Sequence, residues 1–169
     1  MNSKRPRIKV PFEPMDIFIE LTSISILLFM WIYALYNYVD LPETIPTHFN
    51  SKGEVDDFGN KLTIWIVPGL ATVMYVGLFF LNKFPHLHNY MVNITEENAL
   101  KNYRFSTRIL RGVNFICVIF MAFITFKIIE SAKGSNFTLG SWFLPVVIGV
   151  SVILPIILLI YMKKLNKDQ

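Results

Sequence analysis

The chain has 169 residues, a length that suits one domain, but 53% of them are apolar, 17% charged and 15% aromatic, with mean hydropathy +0.47 and formal net charge +4. Soluble domains carry about a quarter charged residues, whereas here Leu21–Val39, Leu62–Asn82, Gly112–Phe126 and Gly134–Met162 contain none. Apolar runs of this length match a hydrocarbon core of about 30 Å crossed at about 1.5 Å per residue. That excludes a soluble globular domain, a disordered chain and a disulfide-stapled secreted domain. The fold class expected is an all-α, polytopic integral membrane protein with four transmembrane helices and a structured extracytoplasmic loop between helices 1 and 2.

The charges orient these spans. Of the 16 Lys and Arg residues, 12 fall in the N-terminal tail (Lys4, Arg5, Arg7, Lys9), in the loop and helix start after the second run (Lys83, Lys101, Arg104, Arg108, Arg111) and in the C-terminal tail (Lys163, Lys164, Lys167). The other four are Lys52, Lys61, Lys127 and Lys133. The positive-inside rule therefore places both termini and the middle loop in the cytoplasm, in a cell (plasma) membrane. Because the basic residues flank apolar runs, the positive balance points to anionic lipid headgroups and not to nucleic acid.

In chain order, residues 1–16 read as a cytoplasmic basic tail and 17–82 as a two-helix unit containing an outer loop at 40–61. Residues 83–169 read as a cytoplasmic basic loop and helix followed by transmembrane helices 3 and 4. The first apolar stretch, Ile17–Val39, is too long for a signal-peptide core of about 7–15 residues and reads as a retained anchor helix. Glu20 lies one turn into it, at a depth suited to pairing with Arg108 or Arg111. Pro68, Pro145 and Pro155 fall inside helices 2 and 4 and read as kinks.

In the outer loop, Pro42 and Pro46 bias the preceding residues toward extended backbone. Asn50–Gly53 and Asp57–Asn60 read as turns. Ile45, Phe49, Val55 and Phe58 supply apolar contacts for a compact cap, and the loop carries a net charge of −3. His48 and Asn50 are expected to hydrogen-bond loop backbone and hold its shape. A metal site would need further ligands at fixed spacing, and none is expected.

Leu41-Pro-Glu-Thr-Ile-Pro-Thr-His-Phe-Asn50, then Gly53, Asp56, Gly59 and Lys61, precede an apolar helix containing Pro68. This stretch resembles the bacterial membrane domain of unknown function 1648, whose signature is Ile-Pro-x-His-Phe-Asn followed by a Gly-x-x-Asp turn between two transmembrane helices. The resemblance implies a domain also found at the start of Sdp-type toxin-immunity proteins, with no known chemistry of its own. It singles out Pro46, His48, Phe49, Asn50, Gly53, Asp56 and Gly59 as candidate binding residues.

After the second run, His86 and His88 are two apart with no neighbouring Cys or carboxylate, too few ligands for zinc. Thr95 followed by Glu96 and Glu97 reads as a helix start. Lys101, Arg104, Arg108 and Arg111 then recur at spacings of three, four and three, one helical stripe suited to lipid headgroups and to fixing topology. The third run has a short charge-free core, and snorkelling by Lys127 extends it to about Ile109–Ile129. Asn93-Ile-Thr95 and Asn136-Phe-Thr138 match the glycosylation sequon. Cys117, the single cysteine, reads as a small buried hydrophobe.

No acidic, basic or imidazole side chain falls mid-bilayer, which argues against ion-coupled transport. No nucleophile, base and metal-ligand set shares one depth, so neither an enzyme nor a cofactor is expected. The preferred function is a non-enzymatic sensor, immunity or envelope-interaction protein that recognises an extracytoplasmic peptide or membrane protein through the 40–61 loop. The alternatives are an accessory subunit of a larger membrane complex and, less favoured, a small transporter.

Overall fold

Helix α1 begins where Pro14, which has no N–H to leave unpaired, follows Glu13 at the first helical position, and the Asp16 carboxylate accepts the Glu13 N–H at 2.9 Å. In this computed structural model, which describes residues 5–135 and 138–166, α1 runs Pro14–Tyr38, α2 Ile66–Leu81, α3 Ala99–Ala132 and α4 Phe143–Leu165. Lys4, Lys167 and Asn136 of the second sequon lie outside the described residues. Four helices, the second counted with the 3₁₀ turn Lys61–Trp65 that leads into it, are long and apolar enough to cross a membrane. At about 1.5 Å per residue, α3 is about 50 Å long, because the basic stripe and the third apolar run form one continuous helix.

Three expectations are corrected. The chain is not all-α: β1 (Thr44–Phe49) and β2 (Val55–Asn60) form a two-stranded antiparallel sheet. The Asp57–Asn60 segment is strand, not turn. A single reversal at Asn50–Gly53 brings β2 back along β1, and the Lys61 N–H donates to the Glu43 carbonyl at the base of the hairpin, so the residues between must be extended to complete the ladder. Pro46 is accommodated because both strands of such a ribbon are edges. Pro68 and Pro145 do not kink their helices. Each is the third residue of its helix, where the N–H would have no intrahelical acceptor, and only Pro155 lies in a helix interior.

The described residues form two compact units. One comprises the chain up to Asp40 with Ile64–Phe126, and the other Leu41–Thr63 with the chain from Lys127 onward.

In the first unit, the buried residues of α1 are Asp16, Glu20, Ser23, Leu27, Met30, Ala34 and Asn37, alternately four and three apart on a single stripe. Phe18, Leu21, Leu28, Phe29, Ile32 and Leu35 face outward. A helix with its polar and small residues inward and its large apolar residues outward suits a hydrocarbon solvent. Leu27 and Met30 pack with Ala71 and Tyr75 of α2 and Val118 of α3, and the Trp31 indole donates to Thr72 Oγ1 at 2.9 Å.

Above this apolar core is a buried ionic cluster. Arg111 donates from Nε to Glu20 Oε1 and from Nη1 to Asp16 Oδ1, both at 2.8 Å, and the Tyr75 hydroxyl donates to Glu20 Oε2 at 2.8 Å. Asn114 continues the network, its amide donating to the Tyr75 carbonyl at 3.2 Å. Glu20 thus pairs with Arg111, one of its two expected partners. Arg108 pairs with Glu13 and Asp16, and Arg104 lies 3.3 Å from Glu13.

The segment leading into α3 folds on the N-terminal tail. Arg5 donates to the His86 and His88 carbonyls, its guanidinium lies over the Tyr90 ring, and the Tyr103 hydroxyl donates to the Pro6 carbonyl. His88 is buried, with Nε2 against the Leu81 carbonyl at 3.1 Å and Nδ1 against Ser106 Oγ at 2.7 Å. A carbonyl only accepts, so Nε2 carries the proton and Nδ1 accepts from the serine. Burial lowers the His88 pKa below its ordinary value and pushes the Tyr90 hydroxyl up to about 12.

Removing the Arg111 guanidinium leaves the buried Glu20 carboxylate without its cation and Asp16 with Arg108 alone. Arg111→Ala is expected to cost about 3–5 kcal/mol, read as a lower thermal midpoint in detergent, while Glu20→Gln, which keeps an acceptor for Tyr75, loses less. The His88 shift carries a definite sign. The unfolded segment takes up the proton first, so stability from this site is complete above about pH 6.5 and falls as the pH drops below it. Amide-exchange protection of residues 85–103 is expected to weaken between pH 7 and pH 5, and a His88→Gln variant is expected to lack that pH dependence.

Candidate functional site

The second unit is organised by the Asn50 side chain. Its Oδ1 accepts the N–H groups of Lys52 and Glu54 at 2.9 and 3.1 Å, and its Nδ2 donates to the Glu54 carboxylate at 3.0 Å. Backbone bonds from Gly53 to Asn50 and from Asn50 to Glu54 close the same turn at 2.8 Å each. This is the self-bonding geometry for which Asn is favoured in turns. Gly53 sits at φ +77°, and a Cβ there would fall 2.5 Å from the Gly140 nitrogen. The close approach is real contact, because the Leu139 N–H donates to the Gly53 carbonyl at 2.8 Å. Gly53 therefore serves two needs at once, a left-handed backbone and room for a neighbouring strand of chain.

His48 faces outward from β1. Its register partner is Asp57, but the ladder is irregular on both sides of it, and its Nδ1 meets Asp56 Oδ1 at 2.6 Å. The pair is solvent-accessible, with side chains 66% and 41% exposed. A carboxylate on Nδ1 holds the ring in one orientation, favours the proton on that nitrogen and leaves Nε2 as an outward acceptor. Beside it is a cavity of about 320 Å³ whose lining includes His48, Phe49, Asn50, Gly53, Leu139 and Phe143. Its surroundings are acidic. Asp57 accepts from Thr47, Glu54 is held by Asn50, and of the two loop lysines Lys61 is engaged by Glu43 at 2.9 Å.

Of the residues singled out in the sequence, His48, Phe49, Asn50 and Gly53 line this cavity and Asp56 orients His48. Pro46 and Gly59 act within the ribbon. Pro46 is fully buried, and a Cβ at Gly59 would lie 2.7 Å from Thr47 Cγ2 across the strands. Asn50 holds the loop's shape as expected, whereas His48 bonds a side chain and not the backbone. Arg104, Arg108 and Arg111 of the basic stripe belong to the other unit. There Arg111 is 7% exposed between Asp16 and Glu20, Arg104 and Arg108 lie beside Glu13, and Lys101 is exposed.

Leu139, Gly140 and Phe143 were not anticipated. Their signal in the sequence is faint: Gly140, at φ +85°, stands just ahead of Trp142 at the start of the last apolar run. Among the described residues no three His, Cys, Asp or Glu side chains converge as metal ligands. An oriented imidazole beside an apolar wall can accept a hydrogen bond or meet a cation. Phe49, Leu139 and Phe143 offer contact area, and Ser51 also lines the cavity.

Residues 25–72 match the family described as Domain of unknown function (DUF1648), a span that holds most of α1, the whole hairpin and the start of α2. An uncharacterized protein of Archaeoglobus fulgidus is 37% identical over 54 residues, which are 32% of this chain and 30% of that relative. The chain thus spans about a third of that protein's length. No solved structure matches the chain.

Gly53→Ala is expected to strain the turn by about 1–3 kcal/mol and to unseat it from Leu139. Limited trypsin digestion checks this through faster cleavage after Lys52 in the variant than in the parent protein.

Proposed function

We propose that the protein is a non-enzymatic recognition protein of the cell membrane. Both termini are cytoplasmic, and the hairpin is presented outside to an extracytoplasmic peptide or membrane-protein partner, in a sensor, immunity or envelope-interaction role. The observation that carries the reading is the exposed His48–Asp56 pair at the edge of a cavity whose far wall is apolar. The four apolar helices and the bias of basic residues support the orientation. The acidic balance of residues 40–61 favours a cationic partner, since complementary charge steers encounter and selects against like-charged competitors. Phe49, Leu139 and Phe143 favour a partner with an apolar side chain beside its positive charge. The resemblance to the domain at the start of Sdp-type immunity proteins makes a secreted cationic peptide the natural candidate. A second reading, an accessory subunit of a larger complex, is favoured by α4, no residue of which is buried.

One experiment tests orientation and recognition together. In a Cys117→Ser background, Lys52→Cys is expected to react with a membrane-impermeant maleimide on intact cells, and a cationic amphipathic peptide is expected to slow that reaction. Adding His48→Ala and Asp56→Ala is expected to remove the protection while leaving the basal labelling rate intact. Failure to label overturns the orientation. Labelling that the peptide never slows overturns the recognition role.

A further inference from the structure

A second cavity, in the first unit, has a different chemistry. It measures about 420 Å³, within the range of small-ligand sites. It opens where α1 begins and α2 ends, so its mouth is set by Lys9, five residues before α1, and Lys83, two residues beyond α2. Val10, Pro11, Phe12 and Phe79 form apolar walls.

The charges around it are not equivalent. Arg111, at the floor, is engaged by Asp16 and Glu20, and Phe12 covers its guanidinium with the ring centroid 4.6 Å away. Lys9 and Lys83 are exposed and, among the described residues, neither has a carboxylate within 4.0 Å. The Lys83 ammonium lies over the Phe79 and Phe80 rings, 4.8 and 4.6 Å from their centroids, which holds it at the mouth without neutralising it. Between the lysines and the floor is Asn82. Its Nδ2 donates to the Thr107 carbonyl at 3.0 Å, which leaves Oδ1 shielded from solvent and without a hydrogen bond.

Two unneutralised ammonium groups at the ends of membrane-crossing helices stand at headgroup depth. Beside them is the apolar wall formed by Val10, Pro11, Phe12 and Phe79. We infer that this cavity is a binding site for one anionic phospholipid. Its phosphate lies between Lys9 and Lys83, and an acyl chain runs along Phe12 and Phe79. Of the basic stripe of α3, Arg111 lines this cavity, but its guanidinium is committed to the α1 carboxylates and is not offered to the phosphate.

The test is native mass spectrometry of the full chain in neutral detergent, counting phosphatidylglycerol retained relative to phosphatidylcholine. The parent protein is expected to hold one phosphatidylglycerol in preference to phosphatidylcholine. Lys9→Gln with Lys83→Gln is expected to weaken that retention roughly 30-fold, the loss expected for two interfacial lysines, with no change in the lipid-free thermal midpoint. Lys163→Gln with Lys164→Gln, which removes as much charge from the end of α4, is expected to retain it. Equal losses in the two double variants, or no loss in the first, overturn the site. Displacement of the lipid by an equimolar amount of glycerol 3-phosphate also overturns it, because the cavity would then be a free-phosphate site with no use for the acyl chain.

Discussion

The helix arrangement of the first unit depends on one cation. Arg111 is shared by two carboxylates on α1, and Glu20, the deeper of them, also accepts the Tyr75 hydroxyl from α2. One guanidinium therefore ties three helices, and it does so in a chain whose apolar side chains cannot supply the usual driving force. Where the surrounding solvent is itself hydrocarbon, burying leucine against leucine gains little, and association relies on close packing and hydrogen bonds. Removing either sign of charge would leave the other stranded in a low-dielectric interior, so the cluster confers more specificity than its net contribution to stability suggests.

The same cluster explains how the remaining charges are distributed. With Glu13, Asp16 and Glu20 drawing in Arg104, Arg108 and Arg111, the cations left facing outward around the cavity are Lys9 and Lys83. Arg5 is likewise committed, its guanidinium held by two carbonyls and a tyrosine ring, so the tail from Arg5 onward straps the start of α3. A basic residue near a membrane is thus not automatically a headgroup contact. Its role depends on which acids the fold brings within reach.

The hairpin of the second unit follows another logic. It is small and largely exposed, and its shape comes from local bonds: Asn50 closing the turn, Glu43 and Lys61 closing the base, and Gly53 seated against Leu139 and Gly140. Local bonding of this kind leaves its outward side chains free of structural duty. His48 and Phe58 are exposed although neighbours such as Ile45 and Pro46 are fully buried. A locally bonded backbone with exposed side chains is common where loops on a rigid support carry binding residues.

The four long apolar helices, the loop between the first two and its residues His48 and Asp56, though not their pairing, were legible in the sequence, because hydropathy over about 20 residues and turn chemistry over four are local properties. The Glu20–Arg111 pair was legible as one of two options, since depth along a helix can be counted while its rotation about the axis cannot. Several features could not be read. Strand pairing across Asp57–Asn60 depends on a register set 9 to 16 residues away. The proline effects depend on where each helix starts. The wall of the hairpin cavity comes from Leu139 and Phe143, more than 80 residues downstream of the turn. By itself the sequence determined what solvent the chain is built for and which loop carries its polar signature. Only the tertiary structure decided which charges are spent holding helices together and which remain available to a ligand, because that division depends on distances between residues as far apart as Asp16 and Arg111.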